Sequence, residues 1–235
     1  MSERKCIWVN GRDLLAGLFL LCLSIVFILV FSASTSPLYR YPPTADSEIF
    51  QTIGKFWGQG MLPYRDLFDH KGPLIFFLNM VGYLCTGNRT GVFGLQILFM
   101  TVMEIICYRM ALALSGSRKK ACLYVILMTA AMIRVFNKGN MTEEYILPLL
   151  AACLYGQVRY LQECGDHQAG WSFLYGVTFA FAVLTRITNA LPMCCGVFCI
   201  LLVLIRQKKW KQIGWNALAF SGGGIFAGSS VCSLF

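Results

Sequence analysis

The sequence predicts an all-α fold: a polytopic integral membrane protein of about seven transmembrane helices, with two interfacial helices in the first outer loop. Three observations carry this reading. The chain is 57% hydrophobic, with a mean hydropathy of +0.62, which a soluble domain does not sustain. Several apolar runs reach the length that a helix rising about 1.5 Å per residue needs to cross roughly 30 Å of hydrocarbon. The basic residues behind the net charge of +9 gather in short loops between these runs, where they set orientation and do not form a nucleic-acid-binding face. The alternation of a β-barrel is absent.

Residues 1–13 are polar and basic (Arg4, Lys5, Arg12) and precede the apolar run Leu14–Ala33. That run is longer than a signal-peptide core and shows no small-residue cleavage site, so it predicts an uncleaved first span with a cytoplasmic N-terminus. A polar island follows, TADSEIFQTIGKFWGQGMLPYRDLFDHKGP at 44–73, in a chain that is only 13% charged. Within it Ile49, Phe50, Ile53, Phe56 and Trp57 recur at helical spacing behind Asp46 and Glu48, which predicts an amphipathic helix lying in the membrane interface. Acids at its start also suit the helix dipole.

The next apolar run, Pro73–Thr86, has fourteen residues, roughly 21 Å of helix and too short to cross. Pro73 suits a first turn and Gly87 a stop, so an interfacial or re-entrant helix is expected. The charge pattern agrees. Without a crossing at 73–86, the inward loops hold Arg4, Lys5, Arg12, Arg109, Arg118, Lys119, Lys120, Arg159, Arg206, Lys208, Lys209 and Lys211, which is 12 of the 20 basic residues; with a crossing only 7 face inward. The positive-inside rule selects the first arrangement. The remaining spans are expected at 91–114, 121–137, 145–162, 171–188, 190–206 and 213–235, with Pro148 in the first turn of its span. The 34–90 loop, the 137–144 loop and the turn at 186–189 then share the outer face.

The eleven cysteines lie mostly in apolar runs, where a thiol behaves as a small hydrophobe, and no spacing among them resembles a zinc site. The polar groups with chemical potential are in the outer loops. Arg65, Asp66, Asp69, His70 and Lys71 read either as a solvated loop with local ion pairs or as a boundary site in which cations hold a phosphate and carboxylates orient or deprotonate a hydroxyl. Glu143 and Glu144 open a span, where acids complement the dipole. Arg186 at an outer span end needs an anion or a route to water. Glu104, deep in a span, is expected to meet a basic neighbour or a packed interior.

The run D-S-x-x-F followed by G-x-x-P-Y-R-D-L-F-D-H-K-G-P-L resembles the first outer loop of C-type glycosyltransferases, and is similar to the protein O-mannosyltransferase and lipid A aminoarabinose transferase superfamily. The matching positions are Asp46, then Lys71-Gly72-Pro73, then Thr142-Glu143-Glu144-Tyr145. The resemblance implies an outer-leaflet active site using a polyprenyl-phosphate sugar as donor, with a glycan, lipid or protein acceptor, and it leaves room for a divalent metal without naming metal ligands. It implies that Asp46 is the catalytic acid of the first loop and Glu143 the second-motif acid, with Lys71 and Arg186 binding substrate and stabilising the leaving phosphate; Glu48 is read as a further catalytic acid, and Arg65, Asp69, His70 and Glu144 as substrate-binding groups beside them. Ser47 separates Asp46 from Glu48 where many relatives have adjacent acids, and His70 replaces the Glu of aminoarabinose transferases. The chain is also shorter than members of that superfamily and stops in the apolar segment SGGGIFAGSSVCSLF, which predicts a truncated product. The rival readings are a flippase or transporter of a lipid-linked glycan and a non-catalytic membrane fragment.

Overall fold

The computed structural model describes residues 11–40, 44–163 and 167–232. Arg4 and Lys5 of the expected cytoplasmic segment, and the last three positions of the seventh expected span, lie outside the described residues. Among the described residues the fold is all-helical: α1 (Gly11–Phe31), α2 (Ala45–Trp57), α3 (Pro73–Thr86), α4 (Thr90–Ser115), α5 (Arg118–Met132), α6 (Thr142–Glu163), α7 (Ala169–Thr185), α8 (Leu191–Arg206) and α9 (Trp210–Cys232), with a 3-10 turn over Ile187–Ala190. Three stretches, Asp13–Phe31, Thr90–Ser115 and Ile187–Arg206, are long and apolar enough to cross a membrane; α3 and α7 are apolar but shorter.

Helix ends follow local chemistry. In α2, Asp46 and Glu48 occupy the first turn and Lys55 the last, each sign complementing the dipole. In α3, Pro73 opens the first turn and Gly87 closes it at φ 73, a left-handed cap that favours glycine. Two expected boundaries move. α5 ends at Met132, short of 137: the N–H groups of Val135 and Phe136 turn back to the Met132 carbonyl, and the Phe136 ring stands edge-on to Phe27 at 5.0 Å. α6 begins at Thr142, so Pro148 is its seventh residue and not in the first turn. The proline ring therefore leaves the Glu144 carbonyl without its helical donor.

One core cluster joins α1, α4 and α5 through Leu20, Phe27, Ile28, Met100, Met103 and Val125. A second packs Phe50, Ile53 and Trp57 of α2 onto Ile75 and Phe76 of α3 and Tyr145 of α6. The apolar face of α2 is thus covered by protein, not laid open, and Ile49, expected on that face, is 39% exposed. The approach is close because position 54 has no side chain: a Cβ on Gly54 would lie 2.6 Å from the Met80 nitrogen.

Contacts fix which ends of the helices lie together. α3 is tied to loops of one end of the bundle along its whole length: the Gly72 N–H donates to the Thr185 carbonyl at 3.2 Å, Asn79 at mid-helix exchanges hydrogen bonds with Asn140, and Arg89 just beyond it donates to the Tyr39 carbonyl. Tyr39 in turn donates to the Val30 carbonyl in the last turn of α1 at 2.6 Å. At the other end, Arg118 opening α5 pairs with Asp13 opening α1 at 3.1 Å, and Tyr160 late in α6 donates to Gln207 just after α8 at 3.1 Å.

Candidate functional site

The loop from Gly58 to Gly72 folds back on itself. Tyr64 takes a left-handed φ of 66, and its N–H donates to the Leu67 carbonyl at 2.6 Å. Asp66 accepts the Leu62 N–H at 2.8 Å and two bonds from the Arg65 guanidinium at 2.9 and 2.7 Å. The Arg65 hydrogen bond, the Leu62 N–H and the positive charge together hold the Asp66 carboxyl down at about 2. The Tyr64 hydroxyl donates to the Lys71 carbonyl at 2.5 Å; burial, and then the Asp69 charge, push its phenol up to about 12.

This fold-back delivers Lys71. Asp69 accepts the Lys71 N–H at 2.8 Å, and its carboxylate lies 3.6 Å from His70 Nδ1. The Lys71 ammonium sits 3.0 Å from His70 Nε2, 3.8 Å from Asp46 Oδ2 and 5.9 Å above the Phe50 ring. The Lys71 side chain is 14% exposed while Asp46 is 55% exposed, so the cation is held from behind and the carboxylate faces out. An ion pair this open contributes little stability, roughly 0–1 kcal/mol, and its carboxylate is free to meet a second group.

Gly72 then fastens the loop to the end of α7. Its N–H bonds to Thr185, and a Cβ there would lie only 1.9 Å from the Leu184 carbonyl oxygen. Thr185 precedes Arg186, whose Nη1 donates to Glu143 Oε1 at 3.2 Å. Glu143 also accepts the Thr142 hydroxyl at 3.0 Å. Two cation–carboxylate pairs, Lys71–Asp46 and Arg186–Glu143, therefore belong to one end of the bundle. Such a rim can hold an anion on its cations and take a proton on its carboxylates.

Beneath the rim is a buried polar network that the sequence reading did not identify. Asn140, fully buried at a left-handed φ of 62, donates to Ser47 of α2 and to Asn79 of α3, each at 3.0 Å. It accepts the Tyr145 hydroxyl of α6 at 2.7 Å. Gln51 adds a bond to Ser47 at 3.0 Å. Beside it, Gln96 of α4 donates to Glu144 Oε2 at 2.6 Å and accepts from Ser32 and Thr35, while Glu144 Oε1 accepts the Met141 N–H at 3.0 Å. The available signal was the presence of amides in apolar segments, Asn79 and Gln96, which a helix tolerates only with partners.

Not every expected site residue joins the rim. Glu48 lines a separate shallow pocket with Ile49, Thr52, Leu67 and Phe68. Arg65 is engaged by Asp66, and Glu144 points into the network rather than outward. Glu104 meets a packed interior: its oxygens accept from Ser24 at 2.8 Å and Thr129 at 3.0 Å. Among the described residues no three His, Cys, Asp or Glu side chains are grouped to hold a metal ion.

Residues 12–230 match the family model described as "Putative competence-induced protein Ccs4 N-terminal domain". That is nearly the whole chain. The chain belongs to this family. No curated protein and no solved structure matches it.

Proposed function

We propose that this chain is a membrane-embedded glycosyltransferase module that takes its sugar from a polyprenyl-phosphate donor at the outer face of the membrane. The observation that carries the reading is the Gly72–Thr185 hydrogen bond, because it joins the loop bearing Lys71, which pairs with Asp46 of α2, to the helix end bearing Arg186 and, through it, Glu143. Lys71 and Arg186 stabilise the phosphate that gains charge as the glycosidic bond breaks. Asp46 is the base for the acceptor hydroxyl, and Glu143 the second acid, orienting Arg186. A groove of about 450 Å³ lined by Leu74, Phe77, Phe99, Val102, Tyr145 and Phe181 adjoins these elements and suits an isoprenoid chain.

In this reading the chain crosses the bilayer seven times, through α1 and α4 to α9, with α2 and α3 held at the outer surface. The family's printed name adds competence to the reading: we expect the chain to be produced when cells become competent, and the acceptor to be an envelope glycan, lipid or protein.

The test uses the full chain in liposomes with a polyprenyl phosphate, and the matching polyprenol as the control without phosphate. Lys71→Ala and Arg186→Ala should each weaken phosphate-dependent binding by about tenfold, the scale of one lost charge-assisted contact. Asp46→Asn should leave binding intact and abolish sugar release from the polyprenyl-phosphate sugar. Equal binding of phosphate and alcohol would overturn the reading. The buried Glu104, held between hydroxyls of α1 and α5, favours transport as the second reading; there Glu104→Gln, not Asp46→Asn, is the variant that stops turnover.

A further inference from the structure

Away from the rim, a cavity of about 270 Å³ opens between α7, α8 and α9. Its origin is a mismatch in helix spacing. α9 approaches α7 to backbone contact: a Cβ on Gly176 would lie 1.9 Å from the Phe220 carbonyl oxygen, and one on Gly223 would lie 2.1 Å from that of Phe173. Glycine seams of this kind let helices close in a membrane. α8 carries Val197, Ile200, Leu201 and Leu204 on the facing side and stands off, which leaves a cleft.

The wall of the cleft is apolar but its floor is not. His167, Ser172, Tyr175 and Asn216 line it, and His167 and Asn216 are 4% and 8% exposed. Nε2 of His167 is 3.3 Å from the Tyr175 hydroxyl, and Nδ1 is 3.4 Å from the Ser172 hydroxyl. Asn216 lies beside His167, yet among the described residues neither Nδ2 nor Oδ1 of its amide makes a hydrogen bond of good geometry. A buried carboxamide with both its donor and its acceptor idle is rare, and it marks a missing partner. Burial keeps the imidazole below its ordinary range, with Asn216 pulling the other way. At the mouth, Leu201, Ala217 and Ser221 are exposed, so the cleft opens sideways from the helix bundle.

We propose that this cleft binds a single-chain lipid with a neutral head that both donates and accepts hydrogen bonds, a hydroxyl or an amide, seated on the Asn216 amide beside His167 with its chain along α8. A permanently charged head finds no Asp, Glu, Lys or Arg among the lining residues to pair with, and burying it unpaired is costly; a head without a donor leaves half of the Asn216 amide idle. The site is separate from the rim and does not depend on the glycosyl-transfer reading.

The experiment uses the full chain in phosphatidylcholine nanodiscs and a long-chain alcohol carrying a diazirine, with an alkyltrimethylammonium of equal length and the same diazirine as control. On illumination the alcohol should label peptides within 193–221 and be displaced by unlabelled octadecanol, while the ammonium probe labels them weakly. Asn216→Leu removes both hydrogen-bonding atoms at nearly constant volume and should cut labelling about fivefold or more. Should that variant fail to fold, Leu201→Trp fills the exposed mouth without disturbing the buried floor, and it should block labelling equally. Equal labelling by both probes, or labelling unchanged in Asn216→Leu or Leu201→Trp, overturns the proposal. A gain in thermal stability in Asn216→Leu with labelling retained also overturns it, since the amide was then only hydrated.

Discussion

Asn140 links three helices through one side chain. Its amide donates to α2 and α3 and accepts from α6, while its own backbone adopts a left-handed φ that asparagine tolerates better than other non-glycine residues. Asn140→Asp keeps the shape and the backbone tolerance but removes the amide donor, so the Asn79 carbonyl loses its partner, Ser47 keeps only its bond from Gln51, and a carboxylate must be buried. We expect a loss of about 1–3 kcal/mol, the penalty for an unsatisfied buried group, measured as denaturant or thermal unfolding in detergent. Ser47→Ala should cost less, and the double variant should fall short of the sum because both changes break the same bond. Strict additivity would mean that the Ser47 contact adds nothing of its own.

Among the elements, α3 was legible almost to the residue, because Pro73 and Gly87 act locally on the chain. The acids opening α2 and α6 were legible as helix starts, although α6 begins three residues before the expected 145. What the sequence could not convey is which surface α2 covers: a period of apolar residues shows that a face exists but not whether lipid or protein meets it. The partnership of Lys71 with Asp46, and of Arg186 with Glu143, was likewise out of reach. Each spans a long sequence separation, and the docking of the Lys71 loop beside Arg186 depends on glycine at position 72, whose role is steric. Its φ of −70 is ordinary, so only the missing Cβ matters, given the 1.9 Å approach to the Leu184 oxygen. Gly72→Ala should therefore push the loop off α7, lower stability by about 1–3 kcal/mol as overpacking does, and reduce polyprenyl-phosphate binding without changing helix content by circular dichroism. Gly60→Ala is the contrast: nothing lies near its Cβ, and only the φ of 97 resists the substitution, so its effect stays local and binding is kept.

At the scale of the whole molecule, the seven-crossing arrangement rests on whether α3 passes through the membrane. Charge argues against a crossing from the sequence, whereas length alone does not decide, since α3 has 14 residues and α5 only 15; the contacts of α3 supply a second, independent argument. Its first residue follows Gly72, bonded to the end of α7; its middle meets the loop before α6; and the residues after it reach Tyr39, just past α1. A helix whose start, middle and finish all touch one end of the bundle is, in the proposed arrangement, a surface helix. Meanwhile the Asp13–Arg118 pair joins the beginnings of α1 and α5, which fits the proposed arrangement, where α1 and α4 give two crossings between them; adding α3 would give three. Single cysteines at Asn88 and Lys119, with the native cysteines replaced by serine, distinguish the arrangements. With α3 at the surface, an impermeant maleimide added to intact cells should label Asn88→Cys and spare Lys119→Cys until the membrane is permeabilised. A crossing by α3 exchanges the two outcomes together. It would also separate Glu143 and Arg186 from Asp46 and Lys71 by the thickness of the bilayer, and the shared site would go with it.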